Sequence, residues 1–487
     1  MSAPQPSVFA RTLVAFTLII LIALPLPVGS NRTWAIGLFT LLIGVTAVLW
    51  AVGQWRGVLA PSRALKPALP MVVLLLLSQL WVAVQWFTGL TMDSGATIQA
   101  LILGMGYTLL FVLVVSLFHT RQRVTLLLGA LVVSGTFQAF YGSLMTLAGF
   151  EGLLGPHGRD ATGTFINRNS LAGYLELTLA AGIGLLLALR ETRPFSWVQL
   201  VELLMGPKAR LRLALVIMVI ALVMTHSRGG NSSFFIGLML VGAIFVIRTK
   251  ENRMRNILIL ASLVVIDVLV ISQYFGLDQL KDRIVNTRLT DTVVTQMVSS
   301  SDGAGSKAAE ALSSTGGAVS TTAAGISPSS STASTTVEVV QYANEIRGDV
   351  FMYALPLVQD KPITGQGAGS FEAVFPKYSG EDIRLHFDLA HNDYIQFAIE
   401  YGVLGFAPLV LFVLLALYWA FKALWQQKSL YRGGIGFGAA MGIIALLSHS
   451  FVDFNLQIPA NAATFVVLCA TAVLAVHHTR DRKQRNV

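Results

Sequence analysis

Residues 344–405 read NEIRGDVFMYALPLVQDKPITGQGAGSFEAVFPKYSGEDIRLHFDLAHNDYIQFAIEYGVLG. The stretch holds Arg347, a glycine-rich turn, several carboxylates, Arg384, His386 and His391, and it runs straight into an apolar segment. Nearly everything around it is apolar. Of 487 residues, 54% are hydrophobic and only 12% charged, with a mean hydropathy of +0.68. Soluble domains carry about 25% charged residues, so the chain reads as an all-α polytopic membrane protein. A polar island tethered at both ends to a membrane bundle is where chemistry is expected to sit.

Working outward, apolar runs lie near 12–29, 33–53, 69–88, 98–118, 124–148, 170–189, 212–226, 232–248, 256–275, 402–424, 433–451 and 460–477. Each is close to the ~20 residues that cross a bilayer, which gives about 12 transmembrane helices. The expected organisation is nine helices over 1–275, a large and partly helical loop over 276–401, and three helices with a basic tail over 402–487. A single Arg11 precedes the first run and no small-residue cleavage site follows it, so that run reads as a retained helix. The lone cysteine, Cys469, sits in an apolar run and reads as a small core residue.

Basic residues orient the chain. With the N-terminus in the cytoplasm, most of the 34 Lys and Arg residues fall in cytoplasmic loops, from Arg56, Arg63 and Lys66 to Arg480, Arg482, Lys483 and Arg485. Both termini are then cytoplasmic, and the long loop faces the outer side. The net charge of +9 is accounted for by these loops and implies no nucleic-acid partner.

Within the long loop, 299–336 is rich in Ser, Thr, Ala and Gly without an apolar period. Such a tract cannot bury enough surface to offset ordering entropy, so it reads as a disordered insert. From Val337 the apolar spacing becomes helical until Pro362 ends it, and 337–401 reads as the catalytic part. GQGAGSF is a turn without the Lys and Ser/Thr of a phosphate-binding loop, and HFDLAHNDYIQFAIEYG reads as a helix entering the tenth span.

Short outer loops carry Arg32, Arg159, Arg168 and Arg228, against the insertion bias. Arg228, in THSRGGNSS, can be a snorkelling arginine at a helix end. It can equally belong, with Arg159 and Arg168 of GPHGRDATGTFINRNS, to a cluster over the bilayer that recognises an anionic headgroup, because guanidinium suits bidentate phosphate contact. His391 can act as a general base near neutral pH, with Asp388 and Asp393 close in sequence, or it can be a histidine packed at a helix start. His386, His226 and His449 compete for the base role. The sequence has no HExxH, paired cysteines or DxD cluster to suggest a metal site, and no cofactor motif.

Ser227-Arg228-Gly229, Arg347 followed by Pro362 and Gly365-Gln366-Gly367-Ala368-Gly369-Ser370-Phe371, and His391-Asn392-Asp393-Tyr394 through Glu400 to Gly405 occur in that order. This arrangement resembles the bacterial O-antigen ligase and O-antigen polymerase superfamily. GTFINRNSLAGYLEL and DFNLQIPANA also look like segments of that group, whereas the Ser-rich insert departs from it. The resemblance implies a metal-independent glycosyltransferase that moves a glycan from undecaprenyl pyrophosphate at the periplasmic face of the inner membrane. The acceptor would be a sugar hydroxyl of lipid A core in a ligase, or a second lipid-linked glycan in a polymerase. Arg228 and Arg347 would hold the pyrophosphate and stabilise the charge it carries away, and His391 would take the acceptor proton. Arg159, Arg168, Arg384, Asn392 and Asp393 complete the expected substrate contacts. A polysaccharide transporter, which would need ionisable groups at mid-bilayer such as Glu176 or Asp267, and a non-catalytic membrane subunit are the rivals from other classes.

Overall fold

The computed structural model describes residues 8–149, 160–189, 207–248, 296–299, 336–339, 347–379, 386–426 and 429–479, together with positions 257 and 261. Apart from one short two-stranded ribbon, the described elements are helical. They are α1 (Val8–Ala23), α2 (Thr33–Trp55), α3 (Leu65–Thr88), α4 (Ser94–Leu117), α5 (Arg121–Ala148), α6 (Arg168–Ala188), α7 (Pro207–Met224), α8 (Arg228–Arg248), α9 (Arg347–Asp360), α10 (Phe371–Val374), α11 (Asp393–Gln426), α12 (Leu430–His449) and α13 (Pro459–His477). Among the described residues, nine helices are long and apolar enough to span a membrane, and α1 is a shorter apolar helix. The chain is an all-α polytopic membrane protein. Of the expected ninth span, 256–275, only positions 257 and 261 are described, and of the expected insert, 299–336, only its two end residues, Ser299 and Thr336.

Helix α6 is the axis of the bundle. Every residue from Asn169 to Ala188 is buried, because α5, α7, α8, α12 and α13 all pack around it. Lipid tails are as apolar as Leu, so close helix contact in a bilayer depends on small residues. Gly434 and Gly438 of α12 supply them: a Cβ at Gly184 would stand 2.7 Å from Gly438 Cα and 2.9 Å from the Gly434 carbonyl oxygen. The sheath differs from the axis. On α2 and α3, Leu41, Val48, Leu69 and Leu80 remain exposed, as lipid-facing positions do.

Three expectations shift. The first run ends as a helix at Ala23, because Pro25 and Pro27 lead into a 3₁₀ turn at Val28–Ser30. The segment after the insert starts as a strand and not as a helix. Thr336–Val339 pairs antiparallel with Gln296–Ser299 (Gln296 opposite Val339), in keeping with the β preference of Thr and Val. Among the described residues the next helix is Arg347–Asp360. Finally, the helix leading into the tenth span starts at Asp393, and residues 386–392 are irregular.

Helix α11 is not continuous in direction. Gly402 interrupts it with φ 56 and ψ −175, so 393–401 is a cap helix set on the span that follows. The GQGAGSF turn is wedged into that break. Gly365 and Gly402, both at left-handed φ, face each other so closely that a side chain on either would strike the other's backbone. Two polar side chains of α3 bind the wedge. Trp81 Nε1 donates to the Tyr401 carbonyl at 3.0 Å, and Gln85 Nε2 donates to the carbonyls of Thr364 (2.7 Å) and Glu400 (2.9 Å). Above the wedge, Val350, Ala354 and Leu357 form one face of α9 and bury against Phe371, Phe375, Ala390 and Ile399.

Candidate active site at one end of the bundle

Two helices at this end begin in the same way. Before α8 the chain runs Thr225-His226-Ser227-Arg228, and before α11 it runs Ala390-His391-Asn392-Asp393. Each histidine lies in the left-handed region, at φ 52 for His226 and φ 51 for His391, where non-glycine residues are uncommon and often functional. The next residue caps the helix. Ser227 Oγ accepts from the Gly230 amide at 3.1 Å, and Asn392 Oδ1 accepts from the amides of Tyr394 (3.0 Å) and Ile395 (3.1 Å).

Both entrances rest on the turn that ends α12. Asn392 Nδ2 donates to the Phe451 carbonyl at 2.9 Å, the Asp393 amide donates to the Ser450 carbonyl at 3.0 Å, and Tyr394 Oη donates to the Leu447 carbonyl at 2.8 Å. On the other side of this turn, Gly229 passes so near that a Cβ would stand 3.0 Å from the His449 ring and 2.9 Å from Val452. The starts of α8 and α11 are therefore neighbours, although more than 160 residues separate them in sequence.

Each expected site residue now has a place. His391 is half-buried, with its ring edge-to-face on Phe454 at 4.8 Å and on Phe387 at 6.0 Å. Arg228 is the exposed first residue of α8. Arg347 opens α9, which packs on the cap helix beside His391. Asn392 and Asp393 are buried and spent on internal bonds: Asp393 accepts from Ser450 Oγ (2.7 Å), the Leu456 amide (3.0 Å) and Gln457 Nε2 (3.3 Å). They hold the His391 turn in place. Arg168 opens α6 and bonds Asp160 at 2.6 Å. Arg159 and Arg384 lie outside the described residues.

Of the competing histidines, His386 is exposed and bound to Glu372 at 2.8 Å. His226 meets the other oxygen of Asp160 at 2.6 Å. Asp160 thus ties the start of α6 to the turn before α8. Burial alone would raise its carboxyl, but the His226 hydrogen bond and the Arg168 guanidinium outweigh burial and hold it below its ordinary value. His449 is fully buried, 2.7 Å from Glu176.

Asp160, Glu400 and Gln396 also belong to the framework of the site, although the sequence alone points to no role for them. Glu400 accepts from the Gly369 amide (2.9 Å) and from Gln396 Nε2 (2.9 Å), while Gln396 Oε1 accepts from the Ala390 amide (2.8 Å). This chain links the glycine-rich wedge to the residue before His391. The i, i+4 spacing of Gln396 and Glu400 is its local trace in the sequence. Below it, an apolar cavity of about 310 Å³ opens between α3, α4, α11, α12 and α13, lined by Leu75, Tyr107, Phe397, Phe406 and Phe465 and reached by Asp393 and Glu400. Among the described residues no cluster of His, Cys, Asp or Glu is arranged to hold a metal ion.

A bundle of membrane-spanning helices with a polar site built at one end defines a multi-pass membrane protein. Residues 213–410 match the family model described as O-antigen ligase. The matched region includes Arg228, Arg347 and His391. No curated protein matches the chain.

Proposed function

We propose that this protein is a glycosyltransferase that moves a glycan from undecaprenyl pyrophosphate to a sugar hydroxyl, at the periplasmic face of the bacterial inner membrane. The single observation that carries this reading is the seating of the α8 and α11 entrances on one turn, which sets Arg228 and His391 at the same end of the bundle inside the O-antigen ligase domain. The prenyl tail would occupy the apolar cavity between α3, α4, α11, α12 and α13, which leaves the pyrophosphate at the level of the helix starts. Helix N-termini present unsatisfied amides and positive dipole ends, and a guanidinium adds a bidentate donor.

In the reaction, His391 takes the proton of the acceptor hydroxyl. The resulting oxygen nucleophile bonds to the anomeric carbon as the carbon–oxygen bond to the pyrophosphate breaks. The departing pyrophosphate keeps that electron pair, and Arg228 and Arg347 stabilise the charge. No metal enters this scheme. The favoured acceptor is lipid A core.

The test is a transfer assay with purified protein and a synthetic lipid-linked donor, run with a chelator present, offering lipid A core and a second lipid-linked glycan in separate reactions. Release of undecaprenyl pyrophosphate with labelled lipid A core supports the ligase reading. Elongation of the lipid-linked glycan alone replaces it with a polymerase. Absence of release with both acceptors overturns the glycosyl-transfer reading.

A further inference from the structure

Glu176 and His449 are both fully buried, with His449 Nδ1 2.7 Å from Glu176 Oε1. Among the described residues, Glu176 Oε2 and His449 Nε2 have no hydrogen-bond partner. Ionisable groups inside a membrane bundle are costly and are usually kept for a function, and replacing such a pair with apolar residues is often neutral for stability or better. Both residues lie outside the stretch that matches the O-antigen ligase family. The position of the pair is informative. It sits directly under the first turn of α8: a Cβ at Gly229 would stand 3.0 Å from His449 Nε2, and one at Gly230 would stand 3.2 Å from Glu176 Oε1. From the same His449, the turn continues into Ser450 and Phe451, which hold Asp393 and Asn392 beside His391.

We propose that Glu176 and His449 are positioning residues of the transfer site, a buried pair that sets the depth of the first turn of α8, and with it Arg228, against the turn that seats His391. The inference rests on the glycosyl-transfer reading given above. The pair joins α6 to α12, so it fixes the floor on which Gly229 and Gly230 lie. A side chain at Gly229 would press on His449, and one at Gly230 on Ala172 and Glu176. Neither Glu176 nor His449 touches substrate in this scheme. Their effect is exerted through Arg228, and it should therefore appear in donor binding.

The test compares the double variant Glu176→Leu/His449→Leu, Gly229→Ala, Arg228→Ala and their combinations with the wild type, in the lipid-linked donor assay. The apolar double variant removes both polar partners together, so neither is left buried without the other. Misplacement by about 1 Å at a catalytic site can cost around 100-fold. The double variant is expected to raise the donor KM at least about tenfold with the acceptor KM unchanged. It should add nothing further when combined with Arg228→Ala, because coupled residues are non-additive. Gly229→Ala keeps the pair and, because Ala is a good helix former, keeps the fold; its new methyl, against both His449 and Val452, should give the same rise in donor KM. A folded double variant or Gly229→Ala with wild-type donor KM overturns the proposal, as do losses that multiply with that of Arg228→Ala. Failure of the wild-type protein to transfer overturns the underlying reading instead.

Discussion

The carboxylate of Asp393 is bound by the hydroxyl of Ser450 at 2.7 Å, and through this contact the first residue of α11 is fastened to the end of α12. The same carboxylate also receives the Leu456 amide and Gln457 Nε2. His391 stands two residues before this anchor, so its position follows from a bond it does not itself make.

Replacing Asp393 with Ala leaves the Ser450 hydroxyl and the Leu456 amide without their acceptor. A buried group deprived of its partner costs about 1–3 kcal/mol. Asp393→Ala is therefore expected to lower the unfolding temperature in detergent and to reduce transfer. Asp393→Asn keeps an acceptor oxygen and should fall between it and the wild type. An Asp393→Ala protein as stable as the wild type contradicts the anchoring role.

His391 occupies a left-handed backbone position, so a simple alanine substitution would mix lost chemistry with backbone strain. Asn tolerates that conformation and lacks a base. His391→Asn is expected to lower turnover by roughly 10²–10⁴ with donor affinity nearly unchanged. Near-normal transfer by His391→Asn, together with its loss in His386→Ala or His226→Ala, moves the base elsewhere.

Arg228→Ala and Arg347→Ala should weaken donor binding as well as turnover, since a phosphate partner is lost in ground and transition states alike. Lysine at either position is expected to restore activity only partly, because an ammonium lacks the planar fork. Donor titration of each variant decides this. Full rescue by Lys would mean that charge alone is read.

Asp160 has a carboxyl held below its ordinary value, with His226 and Arg168 as the partners that hold it there. Such a group adds stability above the unfolded carboxylate value of about 3.9, and loses it as pH falls through the folded value. Wild-type protein should therefore lose the link between α6 and the α7–α8 turn at acid pH. Asp160→Asn should be less stable near neutrality and show a smaller loss on acidification, read as melting temperature against pH. Parallel pH profiles for the two proteins contradict this linkage.

The strands at 296–299 and 336–339 bring the two ends of the Ser-rich insert side by side. Deleting 300–335 and closing the ribbon with Asn-Gly, a pair suited to two-residue hairpins, is expected to leave expression and transfer close to wild type. A well-expressed deletion without activity would show that the tract handles substrate. By the Lys and Arg count, a cysteine at Ser314 should react with an impermeant thiol reagent from the periplasmic side only, and labelling from the cytoplasm overturns the orientation.

Much of this architecture was legible in the sequence, because the constraint that produces it is local. A helix in lipid must satisfy its own backbone groups over about 20 residues, so the run 170–189 announces a span without reference to any other part of the chain. Pro362 likewise marks a helix end by removing an amide. The order of SRG, GQGAGSF and HNDYIQ was enough to suggest the family, and the match over 213–410 bears this out. Partnerships were not legible. Glu176 and His449, Asp393 and Ser450, and Asp160 with both Arg168 and His226 are joined across spans, and no periodicity in one helix records which face of another it will meet. The sequence placed a junction near Gly402, where the tenth span begins, but not the break in direction there, because the wedge of Gly365–Phe371 that fills it comes from elsewhere in the chain. The sequence by itself determined a bundle of apolar helices with a polar segment at one end, since each span follows from its own composition. Only the tertiary structure decided that Asn392 and Asp393 serve as anchors, and that the starts of α8 and α11 share one seat. Those roles depend on which buried donor finds which acceptor once the helices have packed.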